Sequence, residues 1–69
     1  MALTEAEKLI VRGSKLMGAD RNDAAALLLA LRDPEQQEEI LDWMAENLET
    51  ATPSDLIGKA MDIIRKKNF

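Results

Sequence analysis

The chain has 69 residues, no cysteine, no histidine and no tyrosine, and a formal net charge of −4. A chain of this length has room for one small hydrophobic core. Without imidazole or thiolate groups it can form neither a Ser-His-Asp triad nor a zinc site of the usual nitrogen and sulfur type. Its carboxylates, amines and hydroxyls show no recognisable catalytic spacing. The composition therefore favours a protein that is not an enzyme and carries no cofactor.

Hydrophobic residues make up 46% of the chain and charged residues 32%, as in an ordinary globular domain. The longest apolar run, residues 24–31, is far shorter than the roughly 20 residues that cross a bilayer. Residues 1–12 lack the basic start and the unbroken apolar stretch of a signal peptide. We therefore expect a cytoplasmic protein that makes no use of a membrane.

Capping signals predict a first helix over residues 5–17. Thr4 and Glu7 have the spacing of a capping box, and Gly18 ends the helix. Gly13 lies on the apolar stripe of this helix, where it either lets another backbone approach closely or is simply tolerated. The stripe consists of Leu3, Ala6, Leu9, Ile10, Leu16 and Met17.

The second helix is predicted over residues 21–31, after a cap at Asp20. Residues 24–31 are all alanine or leucine, so apolar side chains point to every side of this helix. A helix that is apolar all round is typical of the buried centre of a fold. We therefore expect the other three helices to pack around the second one.

Two cap-then-proline signals open the remaining helices. Asp33-Pro34 predicts a helix over residues 34–48, and Thr52-Pro53 predicts one over residues 53–67. Short connections and the lack of strand alternation predict an all-α fold, with residues 1–69 in one compact domain. Because the second helix is short, an irregular, orthogonal bundle of four short helices is expected. The inward residues of the third helix are expected to be Ile40, Leu41, Met44 and Leu48.

Charges are distributed unevenly along the chain. Residues 1–33 are balanced, residues 34–53 carry six acidic and no basic groups, and residues 54–69 carry four basic and two acidic groups. At helical spacing the six carboxylates form one acidic face on the third helix. Its members are Glu35, Glu38, Glu39, Asp42, Glu46 and Glu49. The acidic face is either an ordinary solvated surface or a docking surface for a basic partner. Because its carboxylates do not converge, no metal site is expected.

The acidic face also counts against nucleic-acid binding. In a helix-turn-helix made by the second and third helices, six carboxylates would meet the phosphates. The basic residues Arg65, Lys66 and Lys67 stand in the last turn of the fourth helix, where cations favour the helix dipole. A nucleic-acid-binding regulator is therefore the disfavoured alternative.

Two apolar residues fall outside the predicted core faces. Val11 stands among charged residues of the first helix, and Trp43 borders the acidic face. Tryptophan is enriched at binding hot spots, but it is also a common packing anchor of small cores. Trp43 is thus either a core residue or an interface residue.

A further pattern involves Met17-Gly18, then Ala24 and Leu28, and later the Leu-Asp-Trp-Met of residues 41–44. This pattern resembles ubiquitin-associated domains, which have a Met-Gly loop and an A-x-x-x-L second helix. The resemblance implies a shallow apolar surface, formed by the loop and the third helix, that binds ubiquitin or another protein. Met17, Gly18 and Met44 would be its contact residues. Ala19 stands where that family has an aromatic residue, and the fourth helix has no counterpart.

Taken together, these features favour a small non-catalytic protein–protein interaction module or adaptor. A ubiquitin-associated-like binding domain and a nucleic-acid-binding regulator are the alternatives. The expected partner is a protein, with a basic surface as one option and a second copy of the chain as another. The candidate interaction surface comprises Trp43, the six residues of the acidic face, Met17, Gly18 and Met44.

Overall fold

The structure is a computed structural model that describes the backbone of residues 2–68 and the side chains of residues 2–66. This part of the chain forms four helices and no strand. They are α1 (Glu5–Leu16), α2 (Arg21–Ala30), α3 (Pro34–Asn47) and α4 (Pro53–Asn68). The predicted all-α fold is therefore confirmed.

Side-chain caps fix the start of each helix. In α1 the Glu7 amide donates to Thr4 Oγ1 at 3.1 Å, and the Thr4 amide donates to Glu7 Oε1 at 2.8 Å. Thr52 and Asp55 form the same reciprocal pair at the start of α4. Aspartates cap the other two helices, Asp20 for α2 and Asp33 for α3. These caps satisfy backbone amides that have no partner within the helix.

The four helices surround one hydrophobic core. α1 and α4 each pack against both α2 and α3. The radius of gyration is 10.9 Å, close to the roughly 11 Å expected of a compact chain of this length. The fully buried hydrophobic side chains at the centre are Ile10, Leu27, Leu31, Ile40 and Leu56.

The second helix is not the buried centre that its composition predicts. Ala24 and Leu27 are buried, but Leu29 is 66% exposed, and most of the alanines of α2 also face solvent. α2 packs mainly against α1 and α4, so only one of its faces is covered. Its other alanines favour the helix through their high propensity without filling the core. The predicted four-helix domain is observed, but the second helix is not its buried centre, because the core lies among all four helices.

The buried face of α1 is narrower than its apolar stripe. Ile10 is fully buried, whereas Leu9 is 51% and Leu16 is 69% exposed. Ser14 occupies a fully buried position, and its hydroxyl donates to the Val11 carbonyl oxygen at 2.9 Å. This bond within the helix satisfies the buried hydroxyl. The stripe thus carries more leucine than the neighbouring helices cover, and the surplus reaches the surface.

Gly13 of α1 faces a side chain of α3 at close range. A Cβ atom at this position would lie 3.2 Å from Met44 Sδ. The close neighbour is therefore a methionine side chain rather than another backbone. Met44 itself is buried, so the missing side chain at position 13 leaves room for it between the helices.

Two glycines give opposite expectations for alanine substitution. Gly18 follows the end of α1 with φ of 95°, in the left-handed region, so Gly18→Ala should destabilise the fold by about 1 kcal/mol. Gly58 lies within α4, where an added Cβ atom would meet nothing within 4 Å. Gly58→Ala should therefore stabilise the fold by up to about 1 kcal/mol. Urea unfolding checks both, and shifts of the same sign would contradict these assignments.

Candidate functional site

An apolar groove lies between α1 and α3. It has a volume of about 300 Å³. Its walls contain Leu9 and Leu16 from α1, and Leu41 and the C-cap residue Leu48 from α3. The buried Met44 contributes to its floor. If a partner covered only the exposed parts of the Leu9 and Leu16 side chains, the hydrophobic effect would contribute about 2–4 kcal/mol to the free energy of binding. We call this feature the α1–α3 groove.

Both helices form the groove with the same sequence pattern. In α1 the small Gly13 stands between Leu9 and Leu16, and in α3 the small Ala45 stands between Leu41 and Leu48. These spacings place each set of three residues on one side of its helix. The Met44 side chain occupies the space beside Gly13, so Met44 and the small Ala45 form the floor of a recess, and the leucines project on either side of it.

The two sides of the groove carry opposite charge. On the α1 side Arg12 lines the groove and also a shallow depression that contains Lys8 and Lys15. On the α3 side a second depression shares two lining residues with the groove and contains Glu46 and Glu49. We call Lys8, Arg12 and Lys15 the basic rim, and Glu46 and Glu49 the acidic rim.

Within the basic rim, Lys8 already has an intramolecular partner. Its Nζ atom lies 3.7 Å from Oε1 of Glu5, and both side chains are more than half exposed. An exposed pair of this kind within one helix is weak. The charge of Lys8 can therefore still contribute to the field beside the groove.

The predicted acidic face points outward. Five of its members are exposed, and Glu39 is half-buried and accepts from Lys66 Nζ at 3.3 Å. Glu35 and Glu39 lie beside α4, whereas Glu46 and Glu49 line a depression that shares Ala45 and Leu48 with the groove. The acidic face thus runs from the α4 contact to the edge of the groove.

The basic residues at the end of α4 form ion pairs within the molecule. Arg65 lies 3.9 Å from Asp62, and Lys66 pairs with Glu39. The side chain of Lys67 lies outside the described residues. The described cations of this cluster thus lie close to carboxylates of the same chain.

Trp43 lies apart from the groove. It stands two residues before Ala45, about 200° around the helix axis. Its ring is half-buried against the core, and it lines a polar depression between α3 and α4. Asn47 Nδ2 donates to the Trp43 carbonyl oxygen at 2.8 Å. Val11 is likewise half-buried, in the depression of the basic rim.

The residues implied by the ubiquitin-associated likeness do not form an exposed surface. Met17 and Met44 are buried, and only Gly18 is exposed. Both methionine side chains therefore offer a partner little surface, although Met44 forms part of the floor of the α1–α3 groove. The fourth helix, which the likeness leaves out, packs against α2 and α3.

Among the side chains that the structure describes, no group of three or more acidic residues could hold a metal ion. No described helix combines the length and the apolar character needed to cross a bilayer.

Comparison with models of protein families, with curated proteins and with solved structures finds no match to this chain. The class that fold and surface define is a small all-α domain with an apolar groove between two rims of opposite charge.

Proposed function

We propose that the protein is a small non-catalytic protein–protein interaction module and that the α1–α3 groove is its binding surface. The observation that carries the proposal is the exposure of Leu9 and Leu16 in one apolar recess together with Leu48. Scattered surface leucines need no explanation, but apolar side chains gathered around a groove are typical of binding sites. The best-fitting partner is an apolar protein surface with charges of both signs along its edges.

The charged residues beside the groove indicate which kind of partner fits it, and those on α3 count against an alternative function. The acidic rim supports the predicted preference for basic groups on the partner, and the basic rim adds a preference for acidic groups beside them. The exposed carboxylates of α3 count against a nucleic-acid partner. A cytoplasmic location stays a prediction from the sequence.

Site-specific photo-crosslinking in the native host tests the proposal. We expect benzoylphenylalanine in place of Leu16 to capture a defined protein, because this position projects from the groove wall. The same group in place of Met61, which is 48% exposed on α4, is the matched control and should not capture that protein. The captured protein is identified by mass spectrometry and then purified for direct binding.

Direct binding completes the test. Leu16→Asp should weaken binding to the purified partner by about tenfold or more, because a carboxylate would have to be desolvated in the contact. Met61→Asp should leave binding unchanged. The proposal fails if neither position captures a partner, or if both aspartate variants weaken binding equally.

A further inference from the structure

We infer that the partner bound by the α1–α3 groove is a second copy of this chain. The inference rests on the proposed function and specifies its occupant. The groove requires an apolar surface with one acidic edge and one basic edge. The groove itself has this composition, because its leucines lie between the acidic rim and the basic rim.

The positions of the rims select one arrangement of the two copies. A two-fold axis along the groove lays α1 of one copy against α3 of the other, so each basic rim meets an acidic rim. An axis across the groove would instead oppose rims of the same sign. Two-fold contacts use the same patch on both copies, so that each favourable rim contact occurs twice. We therefore assign the axis along the groove.

Shape supports the same arrangement. Leu16 is the most exposed leucine of the groove, at 69%, and Gly13, Met44 and Ala45 line the recess between the leucines. A leucine of one copy therefore has a recess of matching chemistry on the other. The smallest specific interfaces bury about 600 Å² per chain. The contact would therefore have to extend from the groove over both rims.

Net charge does not prevent this association. Each copy carries a formal charge of −4, but exposed charges are screened beyond about 10 Å at moderate salt. The rims face each other at much shorter range. Their opposite signs decide which orientation forms, and the leucines supply most of the affinity. We expect a dimer that dissociates in the micromolar range.

Sedimentation equilibrium of the full chain, from about 10 µM to about 1 mM, measures the dissociation constant. Two variants reverse one rim each: R12E/K15E and E46K/E49K. Because each variant on its own opposes like charges twice, its dimer should be about tenfold weaker or more. Mixed in equal amounts, the two variants should form a heterodimer within about threefold of the wild-type affinity, since both rim contacts are then attractive.

Two variants that replace an exposed leucine by aspartate check the contact between the leucines. Leu16→Asp should abolish the dimer, whereas Leu29→Asp, on the exposed side of α2, should preserve it. Circular dichroism confirms that each variant is folded. A monomeric wild type at about 1 mM overturns the inference. The inference is also overturned if the mixture of the two rim variants associates no more tightly than each variant alone. A monomeric wild type, together with a crosslink from benzoylphenylalanine at position 16 to a different protein, excludes a second copy as the partner. That result leaves the proposed function in place.

Discussion

Replacing Leu27 by alanine should unfold a large fraction of the molecules, whereas the same change at Leu29 should have almost no effect. The two residues stand on the same short helix, but Leu27 is 2% and Leu29 is 66% exposed. Removing a buried leucine side chain costs about 2–5 kcal/mol. A single-core domain of this size has a total stability of about 3–5 kcal/mol. Leu27→Ala should therefore remove most of the free energy of unfolding.

Urea unfolding followed by circular dichroism measures both variants. The Leu29→Ala variant should stay within about 0.5 kcal/mol of the wild type, since surface changes have small effects. Comparable losses at both positions would contradict the one-sided burial of α2. They would instead support the arrangement predicted from its composition, in which α2 lies at the centre of the bundle.

Gln37→Glu should destabilise the protein by about 2–4 kcal/mol at neutral pH. Gln37 is a buried polar residue of α3, and its Nε2 atom donates to the Leu31 carbonyl oxygen at 2.9 Å. This bond satisfies a carbonyl at the end of α2 and ties it to the first turns of α3. A carboxylate at position 37 loses the donor and brings a negative oxygen toward the carbonyl. Burying that charge without a partner adds to the cost.

The pH dependence identifies the charge as the cause. Burial should raise the pKa of the introduced carboxyl group above its unfolded value of about 4.3. Relative to the wild type, the variant should therefore be nearly unimpaired below that pH, because a protonated carboxyl can still donate. The loss of unfolding free energy relative to the wild type should grow as the pH rises from the unfolded pKa to the folded pKa of this carboxyl group.

Gln36→Glu is the matched control for this experiment. Gln36 stands next to Gln37 in the first turns of α3, but it is only half-buried and lies beside the cation of Lys66. We expect its free energy of unfolding to change by less than about 0.5 kcal/mol. An equal deficit in the two variants, or a deficit at position 37 that does not vary with pH, would contradict the role given to the Gln37 bond.

Helix limits could be predicted from the sequence because their signals are local. A cap such as Thr4 with Glu7 acts within one turn, and Pro34 and Pro53 restrict the backbone at their own positions. The observed helices begin at the predicted residues and end within one residue of the predicted ends. No knowledge of tertiary packing is needed for such signals.

Which apolar residues are buried depends on neighbours that local signals do not specify. In α1 the adjacent pairs Leu9-Ile10 and Leu16-Met17 make the stripe too wide for one contact face. The packed structure buries Ile10 and Met17 with Ser14 and leaves both leucines at the surface. These adjacent apolar pairs indicate that part of the stripe stays exposed to solvent.

The charged rims of the groove could not be predicted from one helix at a time. The acidic face of α3 was evident from its spacing, and its outward placement agrees with that pattern. Its functional meaning changes because α1 brings Arg12 and its neighbours to the other side of the leucines. Charges from separate helices become the rims of one groove only through the packing of α1 on α3.

Amide chemical-shift mapping in solution tests most directly whether the α1–α3 groove is the binding surface. Spectra of the labelled protein are recorded with a saturating amount of the partner that benzoylphenylalanine at position 16 captures. That partner is either a second copy of the chain or another protein. We predict shifts at Leu9, Gly13, Leu16, Ala45 and Leu48, with the signals of Leu29 and Met61 unchanged. Shifts centred on Leu29, on Met61 or on the depression beside Trp43, with the groove unaffected, would contradict the account.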